Sequence, residues 1–571
     1  MTTSTHYDAI VVGSGHNGLI AANYLADAGK KVLVVERRGK VGGATVTEEV
    51  IPGYRASALS YVSGLLHPKI LVDLRLEQHG LTLYQTEMGD TNILRDGRHL
   101  FLYRDLSRTL REMQVTAPED ADGLVAFGLR LERFAAFTGQ WLLSPNPPTV
   151  DEVMRTFYES GESDLFTEFF TLSVLDLLER YFKTDLMKGL ATFLAVVGVW
   201  GGPRTPGWAY VYGHHATGEF DGHMGQFAFP RGGMGSIAEA MATRARAKGA
   251  DVRVNAPVRR ILVEKGRAAG VVLENGDELR ASTVLSNADP RRTFLSLVEA
   301  KELPNEYLDR IRRFDARGSM ARVFLALEKL PDFVGLPKGE GPQHRGLTLL
   351  GADVEGFQRV ADAQQYGRVP IDFPIEFIIQ SVHDDTMAPA GKHLLSTGIQ
   401  QLPFELESGT WDDYKDTFTK NVIDVMETYA PGIKDSIIDT ATITPLDLER
   451  EYALPGGNIF HGAMTMGQLY SSRPIPGYAS YRSPVPGLYL CGSGTHPGGG
   501  VMGAPGHNAA HAVLADEAAG GFRGEARSGG SSAIKSTIGQ RMMSNPTIRK
   551  VALPVARRSA FSKIVDWFSK R

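Results

Sequence analysis

The residues in this chain whose types and spacing suit chemistry are glycines, one acid and a set of histidines. Gly13, Ser14, Gly15, His16, Asn17 and Gly18 form a GxGxxG, and Glu36 follows Gly18 by 18 residues. In that pattern the first glycine permits a tight turn, and the second lets backbone approach a pyrophosphate. The third lets a helix pack closely on a strand, and the helix N-terminus favours the anion. An acid placed like Glu36 would accept a hydrogen bond from a ribose 2′-hydroxyl, so the implied ligand is a dinucleotide. Glycines return at Gly42 and Gly43, just before Ala44, and again at 232–235 and 492–503. His214, His215, His223, His461, His496 and His507 are the candidates for proton transfer. The spacing GHHATGEFDGH around the first three matches no standard ligand pattern, so no metal is expected.

The elements that must position these groups follow from hydrophobic periodicity. Residues 8–12 (DAIVV) read as a strand, Leu19, Ala22, Leu25 and Ala26 as a helix face, and 31–35 (KVLVV) as a second strand, with Gly29 stopping the helix. This β-turn-α-β unit implies a parallel sheet covered on both faces. From about 70 to 220 the pattern is mostly helical, with amphipathic stretches at 122–137 and 163–182. The apolar run 189–202 falls short of the roughly 20 residues that span a bilayer, and reads as a buried helix or the lining of an apolar cavity. Residues 251–288 return to strands, with Asn275-Gly276 as a hairpin turn. Residues 300–440 mix strands with a helix near 411–429, and 487–518 read as strand, glycine-rich loop and helix.

Composition narrows the classes. The 571 residues suggest two to four structural units. With 43% hydrophobic and 22% charged residues, wholesale disorder is excluded. A net charge of −4 gives no support for a nucleic-acid partner. Cys491 is the sole cysteine, which rules out an internal disulfide, a CxxC redox pair and a cysteine zinc cluster. The N-terminus lacks the basic and apolar regions of a signal peptide, so a cytoplasmic location is expected. Residues 523–571 begin as a small, polar linker and carry 11 Lys+Arg against 2 Asp+Glu, a local +9 that leaves −13 on the rest. There Phe561, Ile564, Val565 and Phe568 form an apolar stripe beside Trp567. Such a basic amphipathic segment suits peripheral contact with an anionic membrane inner face. Docking of 534–571 on the acidic body, a second subunit or another protein is the competing expectation.

Four motifs in order carry a family resemblance. VVGSGHNGLIAANYLADAGKKVLVVERRGKVGGA, from Val11, resembles the N-terminus of the phytoene desaturase-like FAD oxidoreductases. Phe229 to Gly235 (FPRGGMG) is similar to that superfamily's P-x-G-G-M segment, Val258 matches a valine whose backbone meets the adenine, and residues 487–503 resemble the C-terminal flavin motif. Three stretches, VTEEVIPGYRASALSYVSGLL, GGNIFHGAMTMGQLYSSRPIPGY and LYLCGSGTHPGGGVMGAPGHNAA, are similar to a subgroup named for a pyridine nucleotide-disulphide oxidoreductase domain. One cysteine cannot supply the disulphide of that name, and no second GxGxxG offers a separate NADPH site.

The resemblance implies FAD held by Gly13, Ser14, Gly15, Asn17, Gly18, Glu36, Arg37, Gly42, Gly43, Ala44, Val258, Gly492, Ser493, Gly500, Val501 and Met502. Ser493 stands where many relatives carry an acid. His496 lies in the flavin loop and His461 in a subgroup-typical segment, which makes them the acid/base candidates. The expected fold is α/β: a discontinuous FAD-binding Rossmann-type domain (1–70, 222–290 and 440–522) with an inserted mixed α+β substrate domain (71–221 and 291–439). The expected activity is oxidation of a hydrophobic, isoprenoid- or carotenoid-like small molecule, with hydride passing to flavin N5 and a quinone or O2 as oxidant. A flavin amine oxidase and an FAD-stabilised interaction protein are the alternatives, and a homo-oligomer is left open.

Overall fold

The computed structural model describes residues 6–522, so the linker from 523 and the basic segment 534–571 lie outside the described residues. The first strand, His6–Val12, pairs in parallel with Val32–Val35 on one side and Glu278–Ser286 on the other. Asp251–Arg253 adds in parallel beyond Val32–Val35, and Leu488–Leu490 adds in parallel to Glu278–Ser286. Arg267–Leu273 and Val258–Glu264 extend the same sheet as an antiparallel meander. The turn between Arg267–Leu273 and Glu278–Ser286 is the expected Asn275-Gly276, with Gly276 at φ +92°.

These strands are near-continuous runs of Val, Ile and Leu because both faces are covered: Ile10, Val11 and Val32 to Val35 are all buried. The covering helices His16–Asp27, Gly235–Ala247 and Ala504–Ala518 are rich in buried alanine, which permits close approach. At Gly506 the approach is closest, since a Cβ there would lie 2.1 Å from the Asn17 carbonyl oxygen. Gly29, at φ +78°, ends the first helix by donating its amide to the Ala26 carbonyl at 2.9 Å.

A second seven-stranded sheet runs in the order Ile437–Ile443, Ser319–Leu327, His393–Leu402, Ile375–Ile378, Leu347–Leu350, Met88–Ile93, His99–Tyr103. All its pairs are antiparallel except Leu347–Leu350 with Met88–Ile93. The last two of these strands fall in the stretch that reads as mostly helical. Met88–Ile93 (MGDTNI) hides its strand character because Thr91 and Asn92 are polar yet fully buried. The Asn92 amide nitrogen is held there by donating to the Leu186 and Ala352 carbonyls, at 3.1 and 2.8 Å. The expected boundaries at 70 and 440 fall inside helix Pro68–Leu74 and strand Ile437–Ile443.

The helices that follow Met88–Ile93 and His99–Tyr103 in the chain pack around phenylalanines. Phe127, Phe134, Phe157, Phe169 and Phe182 are buried together, and the Phe134 and Phe169 rings stack at 4.2 Å between centroids. Helix Asp185–Val196 opens the apolar 189–202 run and buries Phe193. Among the described residues no helix is long and apolar enough to cross a membrane.

Candidate active site

A cavity of about 510 Å³ is lined by residues of both sheets and the loops between them. One end is walled by Val12, Gly13, Gly15, Asn17, Glu36, Arg37, Gly43, Ala44, Val258, Ser493, Gly500 and Val501. The other is walled by Leu59, Tyr61, Asp90, Phe193, Leu194, Val197, Phe227, Met320, Leu347, Glu376, Gln400, Ile459 and Phe460. His16, His215 and His461 also face it.

The glycine end is built from backbone. Gly13 takes φ +97°, and a Cβ on Gly18 would lie 2.2 Å from the Gly13 carbonyl oxygen, so the third glycine is required by helix–strand packing. Gly15 and Gly42 form a β-bridge, with the Gly42 amide donating to the Ser14 carbonyl at 2.9 Å. A Cβ on Gly43 would touch Gly15 Cα at 3.3 Å. The two glycine turns are thus pressed together, leaving bare backbone at the cavity wall. Glu36 is buried; its Oε2 accepts from the Ser14 amide at 2.9 Å and hydroxyl at 2.8 Å, and its Oε1 from the Arg38 amide at 2.9 Å. The Asn17 amide nitrogen donates to Ser493 Oγ at 3.1 Å, joining the first motif to the last, while Asn17 Oδ1 has no partner.

Ser14, Gly18, Gly42, Gly492 and Met502 stand behind this wall rather than in it. Gly492 is needed because a Cβ there would lie 2.6 Å from the Asn287 carbonyl oxygen. Met502 shapes the loop through its backbone, donating its amide to the Gly500 carbonyl at 2.8 Å and accepting at its own carbonyl from the His67 amide at 3.1 Å.

The structure separates the two acid/base candidates. His461 faces the cavity with left-handed backbone (φ +58°), and its Nδ1 is buried without a partner. Burial, followed by the Arg473 charge, lowers its pKa to about 4. His496 does not face the cavity. It is buried with Tyr210, His214 and Tyr470 around a small separate pocket, donating Nε2 to the Trp141 carbonyl at 2.9 Å. His214 is occupied by the Gly499 carbonyl at 2.9 Å. The histidine that the motif reading passed over is His16. It faces the cavity with Nε2 unpartnered, and burial, then neighbouring His461, lowers its pKa to about 3. Its position inside the GxGxxG was the available signal: the first residue of a helix that meets the ligand.

Arg473 ties the two loops together. It is fully buried and donates to six carbonyls: Phe460, Gly462, Ala463 and Gln468 on one side, Ser493 and Thr495 on the other. Burial lowers its pKa to about 10, still charged near neutrality. Arg482 pairs with Asp516 at 2.6 Å and anchors the last helix. Cys491 is buried, and burial pushes its thiol well up, so it offers no thiolate. Among the described residues no three His, Cys, Asp or Glu side chains are grouped to hold a metal ion.

A family model described as flavin containing amine oxidoreductase matches residues 129–402, and one described as NAD(P)-binding Rossmann-like domain matches 11–67. The pyridine nucleotide-disulfide oxidoreductase domain-containing protein 2 of Rattus norvegicus is 38% identical over 544 residues, covering 89% of this chain and 94% of its own. The chain belongs to that flavin-dependent oxidoreductase family. It is an enzyme with FAD as its cofactor. A limonene dehydrogenase polypeptide of Castellaniella defragrans and the chloroplastic prolycopene isomerase of Daucus carota are each 26% identical, covering 89% and 90% of this chain and 94% and 81% of their own, in keeping with the phytoene desaturase-like motifs. In fold, a triple mutant of putrescine oxidase matches with a TM-score of 0.58 at 17% identity, over 90% of this chain and 99% of its own. The residues present fit FAD. The bare backbone at Gly13, Gly15 and Gly43 leaves room where any Cβ would intrude, and Asn17 Oδ1 stands unpartnered beside it.

Proposed function

We propose that this flavoenzyme dehydrogenates a neutral, hydrophobic, isoprenoid- or carotenoid-like molecule. The observation that carries the reading is the continuity of the cavity from the glycine cradle into a wall of Phe193, Leu194, Val197, Phe227, Leu347 and Phe460. FAD, when bound, supplies the hydride acceptor. The chain's own residues orient the donor, exclude water and receive a proton. His461 is neutral near pH 7, and its unpartnered Nδ1 is the atom assigned to take that proton. A quinone or O2 is the proposed terminal oxidant.

An amine oxidase is the second reading, favoured by two carboxylates, Asp90 and Glu376, in the cavity wall. Burial raises the pKa of both, Asp90's to about 6, and each has an arginine charge beside it, Arg104 by Asp90 and Arg322 by Glu376, so the wall is poorly suited to hold an amine cation. The test is product analysis after incubation with limonene, geranylgeraniol and putrescine in the presence of a quinone. Loss of two hydrogens from a neutral lipid supports the proposal, and putrescine turnover with none from the lipids overturns it. The segment 534–571 is proposed to hold the enzyme at an anionic membrane through its basic charge. Its deletion should abolish co-sedimentation with anionic liposomes, and unchanged sedimentation would refute this.

A further inference from the structure

The wall of the cavity opposite the glycine cradle carries buried charge that hydride transfer does not use. The register of Ser319–Leu327 on His393–Leu402, with Ala321 opposite Ile399 and Phe324 opposite Ser396, sets Arg322 opposite Gly398. On the other side of the same strand Gly398 is opposite Glu376. Arg322, Gly398 and Glu376 therefore form one row across three strands, with their side-chain positions on one face of the sheet. Gly398 is what makes the row possible: a Cβ there would lie 1.9 Å from Glu376 Oε1, so the carboxyl occupies the space above it.

Both charged residues are almost completely enclosed, Arg322 at 0% and Glu376 at 2% exposure, and neither is satisfied. Glu376 Oε1 accepts from Gln400 Nε2 at 2.9 Å and the Tyr61 hydroxyl also acts on the carboxyl as a hydrogen-bonding neighbour, but Oε2 is left without a full hydrogen bond of its own. One terminal nitrogen of Arg322 donates to the Leu59 carbonyl, while Nε and Nη2 have no partner. The guanidinium lies over the Tyr61 ring at 4.5 Å. Of this group Glu376, Gln400 and Tyr61 face the cavity, next to apolar Met320 and Leu347. Buried polar atoms left without hydrogen bonds oppose folding, and apolar residues of similar volume would fill the row better. Such a group in a cavity wall is the mark of a ligand contact.

We propose that this row is the docking point for a hydroxyl group at one end of an otherwise apolar substrate, whose O–H donates to Glu376 Oε2. The inference rests on the hydrophobic-substrate reading and narrows it from a plain hydrocarbon to a monohydroxylated lipid. A cation would meet the Arg322 charge on the same row, and an anion the Glu376 carboxyl; a neutral hydroxyl meets neither penalty. Gln400 and the Tyr61–Arg322 stack are positioning residues that fix the carboxyl.

The test compares binding of dodecan-1-ol and dodecane to the full-length holoenzyme, read as the shift of the bound flavin's visible spectrum. The quantity that matters is the ratio of the two dissociation constants. Glu376→Leu is expected to move that ratio about 10-fold against the alcohol, with dodecane bound no more weakly and flavin content unchanged. Gln400→Met, which keeps volume but frees the carboxyl, should move it in the same direction by a smaller factor, and it serves if Glu376→Leu does not fold. An unmoved ratio in a folded variant, with both ligands still bound by the unmodified enzyme, overturns the anchor alone. Failure of the unmodified enzyme to bind either ligand overturns the hydrophobic-substrate reading as well.

Discussion

The two ends of the cavity are made by different means. At the glycine end the wall is backbone held in place by close packing: Gly13, Gly15 and Gly43 present main chain, and the Glu36 carboxylate is engaged at both oxygens. At the other end the wall is made by side chains of Tyr61, Asp90, Phe193, Glu376 and Gln400, brought together from segments far apart in sequence. The first end is local, and alterations to it should strike the fold and the cofactor together. The second is assembled from distant segments, and alterations there should change substrate handling while flavin stays bound.

The largest effect is expected where the two ends are fastened to each other. Arg473→Met would leave six carbonyls of the 460–468 and 493–495 loops without their donor, and should cost about 3–5 kcal/mol in a urea unfolding titration, together with loss of flavin. Next comes Gly18→Ala. Its Cβ would lie 2.2 Å from backbone oxygen rather than from a movable side chain, so about 3 kcal/mol of stability and most of the flavin should be lost. Gly15→Ala is the contrasting control, because its nearest neighbour is the movable Asn287 amide nitrogen at 2.7 Å. It should retain the fold and release only the cofactor, and an unfolded Gly15→Ala would break the distinction.

At the other end, Val197→Trp fills cavity space beside Phe193 and Leu194. It should lower kcat/KM for a neutral lipid by about 10-fold or more, with flavin content unchanged, equivalent to about 1.4 kcal/mol. Loss of flavin in this variant would show that the two ends are not separable. The smallest effects distinguish the two histidines. His461→Gln should lower kcat about 10-fold. His496→Gln should change it less than about 3-fold, since its imidazole serves the Trp141 carbonyl outside the cavity. His461 must be neutral to accept a proton, and its pKa is lowered to about 4, so activity should stay flat near neutrality and fall as pH drops through about 4. That acid limb should be absent in the His461→Gln variant.

The same difference explains what could be read from sequence. The β-turn-α-β unit, the Asn275-Gly276 hairpin and the 487–518 segment were legible because each depends on neighbours within about 30 residues. Gly13, Gly15, Asn17, Glu36, Gly43, Val258, Ser493 and Gly500 all line the one cavity. The strand Met88–Ile93 was not legible, because its buried polar residues break the apolar alternation and the Asn92 amide nitrogen is held by carbonyls of Leu186 and Ala352, far away in the chain. Nor was the Arg322–Gly398–Glu376 row, which exists only once three strands are in register. His16 lines the cavity and His496 does not, because access is decided by which way the first helix turn faces and not by the loop that contains the histidine.

The most direct test of a flavoenzyme with a neutral, lipophilic donor is an anaerobic titration of the purified protein, followed by its flavin absorbance. Stoichiometric bleaching by a neutral isoprenoid such as limonene or geranylgeraniol, with putrescine and cyclohexylamine inert, is the predicted result. Bleaching by the amines with every neutral lipid inert, or a colourless protein that takes up no FAD, would contradict it.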